Sequence, residues 1–230
     1  MWYDESIASY GDLNYEINKK YCDKHNIELI KCNTKSYSNR HPAWERIPLL
    51  LTYLQQYDYV MWIDADAHFY IDRPNITYLI HQHPNHPFIF SQDISVAINT
   101  GCFIVKNTQY SIDFLNKWGY DETLYQQNHY PYWWENGVIL DMLEQNILDI
   151  KNNCIIIPYG ILQHFYEHES YKPFIFHLAG QNKEVRFKHS SNYLQLIQTP
   201  SLPVRSVARP FHPLSIPFRP GSRFVTLRYT

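Results

Sequence analysis

The chain has 230 residues, 45% of them hydrophobic and only 18% charged, with a net charge of −2. That is enough apolar material for one domain with a buried core, and it excludes a chain that is disordered throughout. No apolar run approaches the ~18 residues that a membrane-spanning helix needs, and the Trp-Tyr-Asp-Glu after Met1 is not the basic and apolar start of a secretory signal.

In chain order, Ile7, Tyr10, Leu13, Ile17 and Tyr21 recur at helical spacing and predict an amphipathic helix over residues 5–25. Residues 27–32 read as a short strand. His41-Pro42 then opens a second helix, with Trp44, Ile47, Leu50, Leu51 and Leu54 on one side. Residues 59–63, Tyr-Val-Met-Trp-Ile, are apolar at every position and stop at Asp64, the pattern of a parallel strand covered on both faces. Further strands are expected at 88–91, 97–106, 154–158 and around Phe174, and further helices at 108–124 and 134–145. This alternation predicts an α/β sandwich with a mainly parallel central sheet. There is no internal repeat and no domain boundary before about residue 195.

Residues 200–230 differ in composition. They hold six of the 14 prolines and five arginines, with no lysine and no acid, and are expected to form an extended or disordered tail on a domain spanning 1–199. Without them the body carries 15 basic against 22 acidic side chains, which speaks against a nucleic-acid partner. Cys22, Cys32, Cys102 and Cys154 lie far apart with no C-x-x-C pair, so free thiols are expected rather than a zinc site or a disulfide scaffold.

Four short motifs carry the chemistry. Asp64-Ala-Asp66 directly follows the apolar strand, so both carboxylates emerge at the strand's C-terminal end, where open α/β sheets place their ligand crevice. Two hard oxygen donors there can hold a divalent cation and, through it, a diphosphate; a solvated loop or a helix cap is the alternative use of the same pair. His177-Leu-Ala-Gly180-Gln-Asn-Lys183 offers an imidazole to complete such a site, a glycine that admits phosphate and a neutralising lysine, although a lone histidine is often structural. Asn99-Thr100-Gly101 opens an apolar strand, with a glycine that either lets a sugar lie close to the backbone or marks a bulge. Trp133-Trp134-Glu135-Asn136 places polar groups at a helix start beside indoles, which suit a sugar face as well as a core.

The order Ala43-Trp44-Glu-Arg46-Ile-Pro48, Trp62-Ile-Asp64-Ala-Asp66-Ala67, Asn99-Thr100-Gly101-Cys-Phe103, Glu135-Asn136-Gly-Val and His177-x-x-Gly180-x-x-Lys183 resembles glycosyltransferase family 34. That family includes xyloglucan xylosyltransferases and the galactosyl- and mannosyltransferases of fungal glycan synthesis. The resemblance runs from about Tyr3 to Lys183. It implies a GT-A-like, Rossmann-type α/β/α sandwich and a retaining transfer of a hexose or pentose from a nucleotide-diphosphate sugar to a glycan or other hydroxyl acceptor. The donor it favours is a UDP-sugar, with a GDP-sugar as the other option, and the cofactor is Mn²⁺ or Mg²⁺. By the same matching, Asp64, Asp66 and His177 are the metal set, and Tyr3, Arg46, Asn99, Thr100, Gly101, Gly180 and Lys183 bind the donor. Arg46 and Lys183 would face the diphosphate, and Glu135 and Asn136 take the catalytic positions, with Asp93 a further candidate for sugar hydroxyls.

The chain departs from the family in three places. It opens at Trp2-Tyr3-Asp4, which resembles the end of the strand with which GT-A domains begin, so a truncated N-terminus is expected. Glu135-Asn136 stands where the family has an acid followed by glutamine, one methylene longer. Family members typically carry a Golgi membrane anchor, so a membrane-associated or a cytoplasmic location follows. Competing readings are a catalytically inactive relative and a carbohydrate-binding module, the latter motivated by 20 Tyr and 6 Trp. A haloacid-dehalogenase-like phosphatase also places D-x-D after an apolar strand, but His68 stands where that class has Thr or Val.

Overall fold

The computed structural model describes residues 1–37, 39–165 and 173–199 and the backbone of 224–226. The first helical repeat is α1 (Ala8–His25), entered through one turn of 3-10 helix at Glu5–Ile7 and ended by Asn26 in the left-handed conformation. After β1 (Glu28–Leu29), a 3-10 turn at Pro42–Glu45 with proline in its first turn leads into α2 (Arg46–Leu54). Then come β2 (Tyr59–Ile63), β3 (Ala67–Phe69), α3 (Thr77–Gln82), β4 (Phe88–Ser91) and β5 (Asn99–Lys106). The single helix expected at 108–124 is two: Thr108 caps α4 (Gln109–Tyr120), and Asp121, in extended conformation, interrupts the helix and caps α5 (Glu122–Gln126). The remainder is α6 (Trp134–Glu144), α7 (Ile150–Asn153), β6 (Cys154–Ile157), β7 (Gln163–Phe165), β8 (Ile175–His177), α8 (Lys183–Gln198) and β9 (Phe224–Thr226). No helix among the described residues is long and apolar enough to cross a membrane.

The main sheet has the order β1-β9-β2-β5-β4-β6. The pairs β1·β9, β9·β2 and β4·β6 are parallel, whereas β5 is antiparallel to both of its neighbours, so β5 alone runs against the others. The apolar runs have a direct physical cause. Val60, Trp62, Phe88, Phe90, Phe103 and Val105 face a core closed by α2, α4 and α6, while Met61, Ile63, Ile89, Cys102 and Ile104 face a second core that includes Tyr10, Tyr21 and Cys22 of α1. Both faces of each strand are therefore dry, which removes the polar alternation a half-exposed strand would show. Of the four cysteines, all free, three are buried and Cys32 is half-buried.

A second sheet, β3-β8-β7, sits beyond the end of β2. Its antiparallel pairing sets Ala67 opposite His177, and Asp66 accepts a hydrogen bond through its carbonyl from the Leu178 amide at 2.9 Å. This pairing fixes where the β8 histidine lies relative to the residues that follow β2.

The proline-rich tail contributes more than its composition predicts. Its six prolines all lie at or before Pro220, and the proline-free Phe224–Thr226 is β9, paired in parallel on both edges between β1 and β2. The rest of the tail lies outside the described residues.

Candidate active site

Asp64 and Asp66 lie on the turn that leaves β2, closed by a hydrogen bond from the Ala67 amide to the Asp64 carbonyl at 3.1 Å. The Asp64 amide donates to the Gly101 carbonyl at 2.8 Å, which docks this turn on the start of β5. Across the turn, His177 Nε2 stands 3.3 Å from Asp66 Oδ1 and 3.9 Å from Asp64 Oδ2, and one ligand atom from each of the three lies within 4.8 Å of the others.

Each member of this triad is held from behind. His177 Nδ1 is 2.8 Å from Gln163 Oε1, whose amide nitrogen donates to Asn99 Oδ1 at 3.2 Å, so Gln163 offers its oxygen and the proton sits on Nδ1. Nε2 thereby turns its lone pair to the carboxylates. Asp64 Oδ1 accepts from Trp62 Nε1 at 2.7 Å and from the Arg46 guanidinium at 3.1 Å, leaving Oδ2 toward His177. Asp66 Oδ2 is paired with Arg186 at 2.7 Å, leaving Oδ1 toward His177. While no cation is bound, positive charge on His177 and on Arg186 more than offsets the burial that would raise the Asp66 pKa, and holds the carboxyl below its usual range. Three lone-pair donors converge on one point, and two hard oxygens with one imidazole suit a divalent cation such as Mn²⁺ or Mg²⁺.

Gly101 makes the convergence possible. A Cβ there would lie 2.2 Å from His177 Cε1 and 2.9 Å from both Asn99 Oδ1 and Asp64 Oδ2, so any side chain would displace the triad.

Behind the triad lies a second buried group. Arg46 bridges Asp64 and Glu135, reaching Glu135 Oε1 at 3.0 Å, and also donates to the Thr100 and Ala43 carbonyls. Glu135 Oε1 is 2.9 Å from Thr100 Oγ1, while Oε2 is buried with no hydrogen-bond partner. Burial pushes the Glu135 carboxyl up to about 7 even with Arg46 beside it. Asn136 Oδ1 accepts from the Thr100 amide at 2.8 Å, tying the start of α6 to the start of β5.

A cavity of about 550 Å³ opens over these residues. Arg46, Asp64, Asp66, Asn99, Thr100, Gly101, Glu135, Asn136, His177 and Gly180, all expected from the sequence, line it, as does Asp93. Tyr3 and Lys183 do not. Tyr3 is buried and donates its hydroxyl to Asp12 at 2.5 Å, while its neighbour Trp2 reaches the cavity. Lys183 opens α8 after the cap Asn182 and donates to the Ser6 carbonyl at 2.9 Å. One turn later Arg186 lines the cavity, joins Asp66 and donates to the Tyr10 hydroxyl at 3.0 Å. The helical period after Asn182 is the signal that could have found Arg186.

A family model described as "Protein of unknown function, DUF273" matches residues 18–186. Xyloglucan 6-xylosyltransferase 4 of Arabidopsis thaliana is 31% identical over 127 residues, 50% of this chain and 24% of that protein. Probable glycosyltransferase 3 of Oryza sativa subsp. indica is 30% identical over 129 residues, 50% of this chain and 27% of that protein. The chain thus spans about a quarter of the length of the curated relatives it matches. Among solved structures, a glycosyltransferase involved in the glycosylation of the major capsid of PBCV-1 superposes with a TM-score of 0.68 at 16% identity, covering 83% of this chain and 96% of that one. At that identity the likeness fixes the fold, a GT-A-like α/β sandwich.

Proposed function

The chain belongs to the DUF273 family, and from that premise we propose that it is the catalytic domain of a metal-dependent, retaining glycosyltransferase akin to family 34. It takes a hexose or pentose from a nucleotide-diphosphate sugar, UDP before GDP, and passes it to a hydroxyl of a glycan. The carrying observation is the convergence of Asp64 Oδ2, Asp66 Oδ1 and His177 Nε2 at the exit of β2 inside a cavity. The relatives named as xylosyl- and glycosyltransferases support the same reading.

A divalent cation bound by these three would neutralise charge developing on the leaving diphosphate. The chain's own residues do the rest. Arg186, at the cavity wall, balances Asp66 and is the cationic side chain best placed toward a phosphate. Arg46 is committed to Asp64, Glu135 and two carbonyls, so it positions the triad instead of meeting the diphosphate directly. Asn99, Thr100 and Gly101 form the sugar side of the cavity, with Asp93 accepting from Asn99 at 3.1 Å.

Glu135 is engaged through Oε1 by Arg46 and Thr100 and is kept from full ionisation by burial, which makes it a poor nucleophile. The transfer is therefore a front-face one. The acceptor hydroxyl attacks the anomeric carbon on the side from which the diphosphate departs, and a diphosphate oxygen takes the hydroxyl proton as the C–O bond breaks.

Calorimetric titration of UDP and GDP with and without Mn²⁺ tests this reading. One nucleotide should bind only with the metal, and Asp66→Asn should abolish that binding. Failure of both nucleotides to bind with Mn²⁺ present would reject it.

A further inference from the structure

One side of the cavity is not used by the transfer chemistry. The segment that leads from α5 into the first residue of α6 carries Tyr130, Tyr132, Trp133 and Trp134, which expose 39%, 87%, 42% and 44% of their surface. Large rings are seldom left so open in a row without a use. Tyr132, Trp133 and Trp134 line the cavity next to Glu135 and Asn136. The rings are ordered as stacked pairs, Tyr130 on Trp133 at 5.1 Å with an interplanar angle of 7°, and His41 on Trp134 at 3.7 Å and 4°.

The backbone beneath them is fixed. The His129 amide donates to Asp141 at 2.9 Å, and its ring Nδ1 is 2.8 Å from the same carboxylate. Asn128 donates to the Trp134 carbonyl at 3.3 Å. Trp134 itself sits at φ 50°, ψ −123°, a conformation a bulky residue rarely adopts. Such strain persists where surrounding contacts over-determine it, and it collects at binding sites. Residues 126–134 include no Asp, Glu, Lys or Arg.

We infer that this wall is the acceptor subsite and that it takes a neutral oligosaccharide of several pyranose rings, laid with its apolar faces on the exposed indoles and on Tyr132. The inference rests on the transferase reading and adds the class of acceptor to it. Rigid rings bury area at low entropic cost, and a segment without charged side chains offers nothing to an ionic polymer. The wall is continuous with the cavity, so a sugar stacked on it presents hydroxyls toward the triad. A protein partner would also suit exposed aromatics, but it would not explain why the rings run into the cavity.

The test uses the full chain with Mn²⁺ and UDP, and follows cellohexaose, maltohexaose and xylohexaose by saturation-transfer NMR and tryptophan fluorescence. At least one should bind, and Tyr132→Ala and Trp133→Ala should each weaken it by about tenfold with UDP affinity retained. Tyr132 is 87% exposed, so its truncation leaves the fold intact even if the tryptophan variant is perturbed. The inference is overturned if binding is unchanged in both variants, if none of the three sugars binds, or if the wall instead mediates self-association that Trp133→Ala abolishes. If the wild type binds no nucleotide, the transferase reading fails separately; hexasaccharide binding that depends on Tyr132 would then still support the wall as a saccharide surface, and its absence would overturn it.

Discussion

The floor of the cavity and its aromatic side are built in opposite ways. On the floor, Asp66 and His177 are buried, and the triad's own atoms that face away from the point of convergence, Asp64 Oδ1, Asp66 Oδ2 and His177 Nδ1, are engaged by Trp62, Arg46, Arg186 or Gln163. These partners come from strand ends and from the first turns of helices, so their positions are set by two cores and by sheet register. On the side, Tyr132, Trp133 and Trp134 stand in water on a connecting segment, held by a few hydrogen bonds to Asn128 and Asp141. A group that holds charge needs a preorganised, dry setting. A surface that stacks on a sugar needs only rigid area, and a loop can vary without disturbing the chemistry beneath it.

The sharpest break of this contrast is at the floor. Asp66→Ala removes one converging oxygen and leaves Arg186 and His177 without their shared acid, so cation-dependent nucleotide binding should fall by at least ~100-fold while hexasaccharide binding to the wall survives. Calorimetry on the same sample reads both; joint loss would mean that the two sides are one cooperative unit. Next in size is Gly101→Ala. Its Cβ would stand 2.2 Å from His177 Cε1, which forces the imidazole off the carboxylates, and a drop of about 10–100-fold in Mn²⁺-dependent nucleotide affinity follows. Unchanged affinity would show that His177 is dispensable.

Legibility in the sequence divides along the same line. The strands at 59–63 and 88–91 were readable to the residue because both faces are buried, which writes an unbroken apolar run. Asp64 and Asp66 were readable because they follow such a run, whereas His177 joined them only through the family resemblance, since a single histidine carries no such signal. Lys183 completes the motif and so is the cation expected from the sequence, yet Arg186 lines the cavity, because the cap at Asn182 starts a helix whose next turn faces Asp66. The short strands β3 and β7 carry too few residues to show a period, and the pairing of Arg46 with Glu135 joins positions 89 apart that only the packing of the Pro42–Glu45 turn against α6 brings together. β9 was hidden by the prolines that precede it.

Glu135 gives an intermediate test, through stability. Unfolded, its carboxyl loses a proton near the ordinary value of 4.5; folded, it keeps the proton up to about 7 because it is buried. The folded state therefore binds the proton more tightly, and the stability this contributes is complete below about 4.5 and is lost as pH rises toward 7. The loss amounts to roughly 3 kcal/mol at 1.36 kcal/mol per pH unit. Glu135→Gln should remove that slope while keeping an acceptor for Thr100. Urea unfolding of both proteins at pH 5 and pH 8 checks it, and parallel pH dependences would mean that Arg46 keeps Glu135 ionised throughout.

The smallest expected effect comes from the side. A Cβ at Gly137 would meet the Tyr130 carbonyl at 2.4 Å and Asn128 Oδ1 at 2.8 Å, and the former is backbone, so the aromatic segment has to move. Gly137→Ala should cost about 1–3 kcal/mol in unfolding free energy, as overpacking does, and should shift the tryptophan emission as the Tyr130–Trp133 and His41–Trp134 stacks are displaced. Nucleotide affinity with Mn²⁺ should stay within about twofold, because Gly137 meets no triad atom. Gly101→Ala and Gly137→Ala are thus the same chemical change applied to the two sides. If Gly137→Ala lowers nucleotide affinity as far as Gly101→Ala does, the start of α6 transmits strain through Asn136 and Thr100 to the triad, and the aromatic side is part of the floor's support.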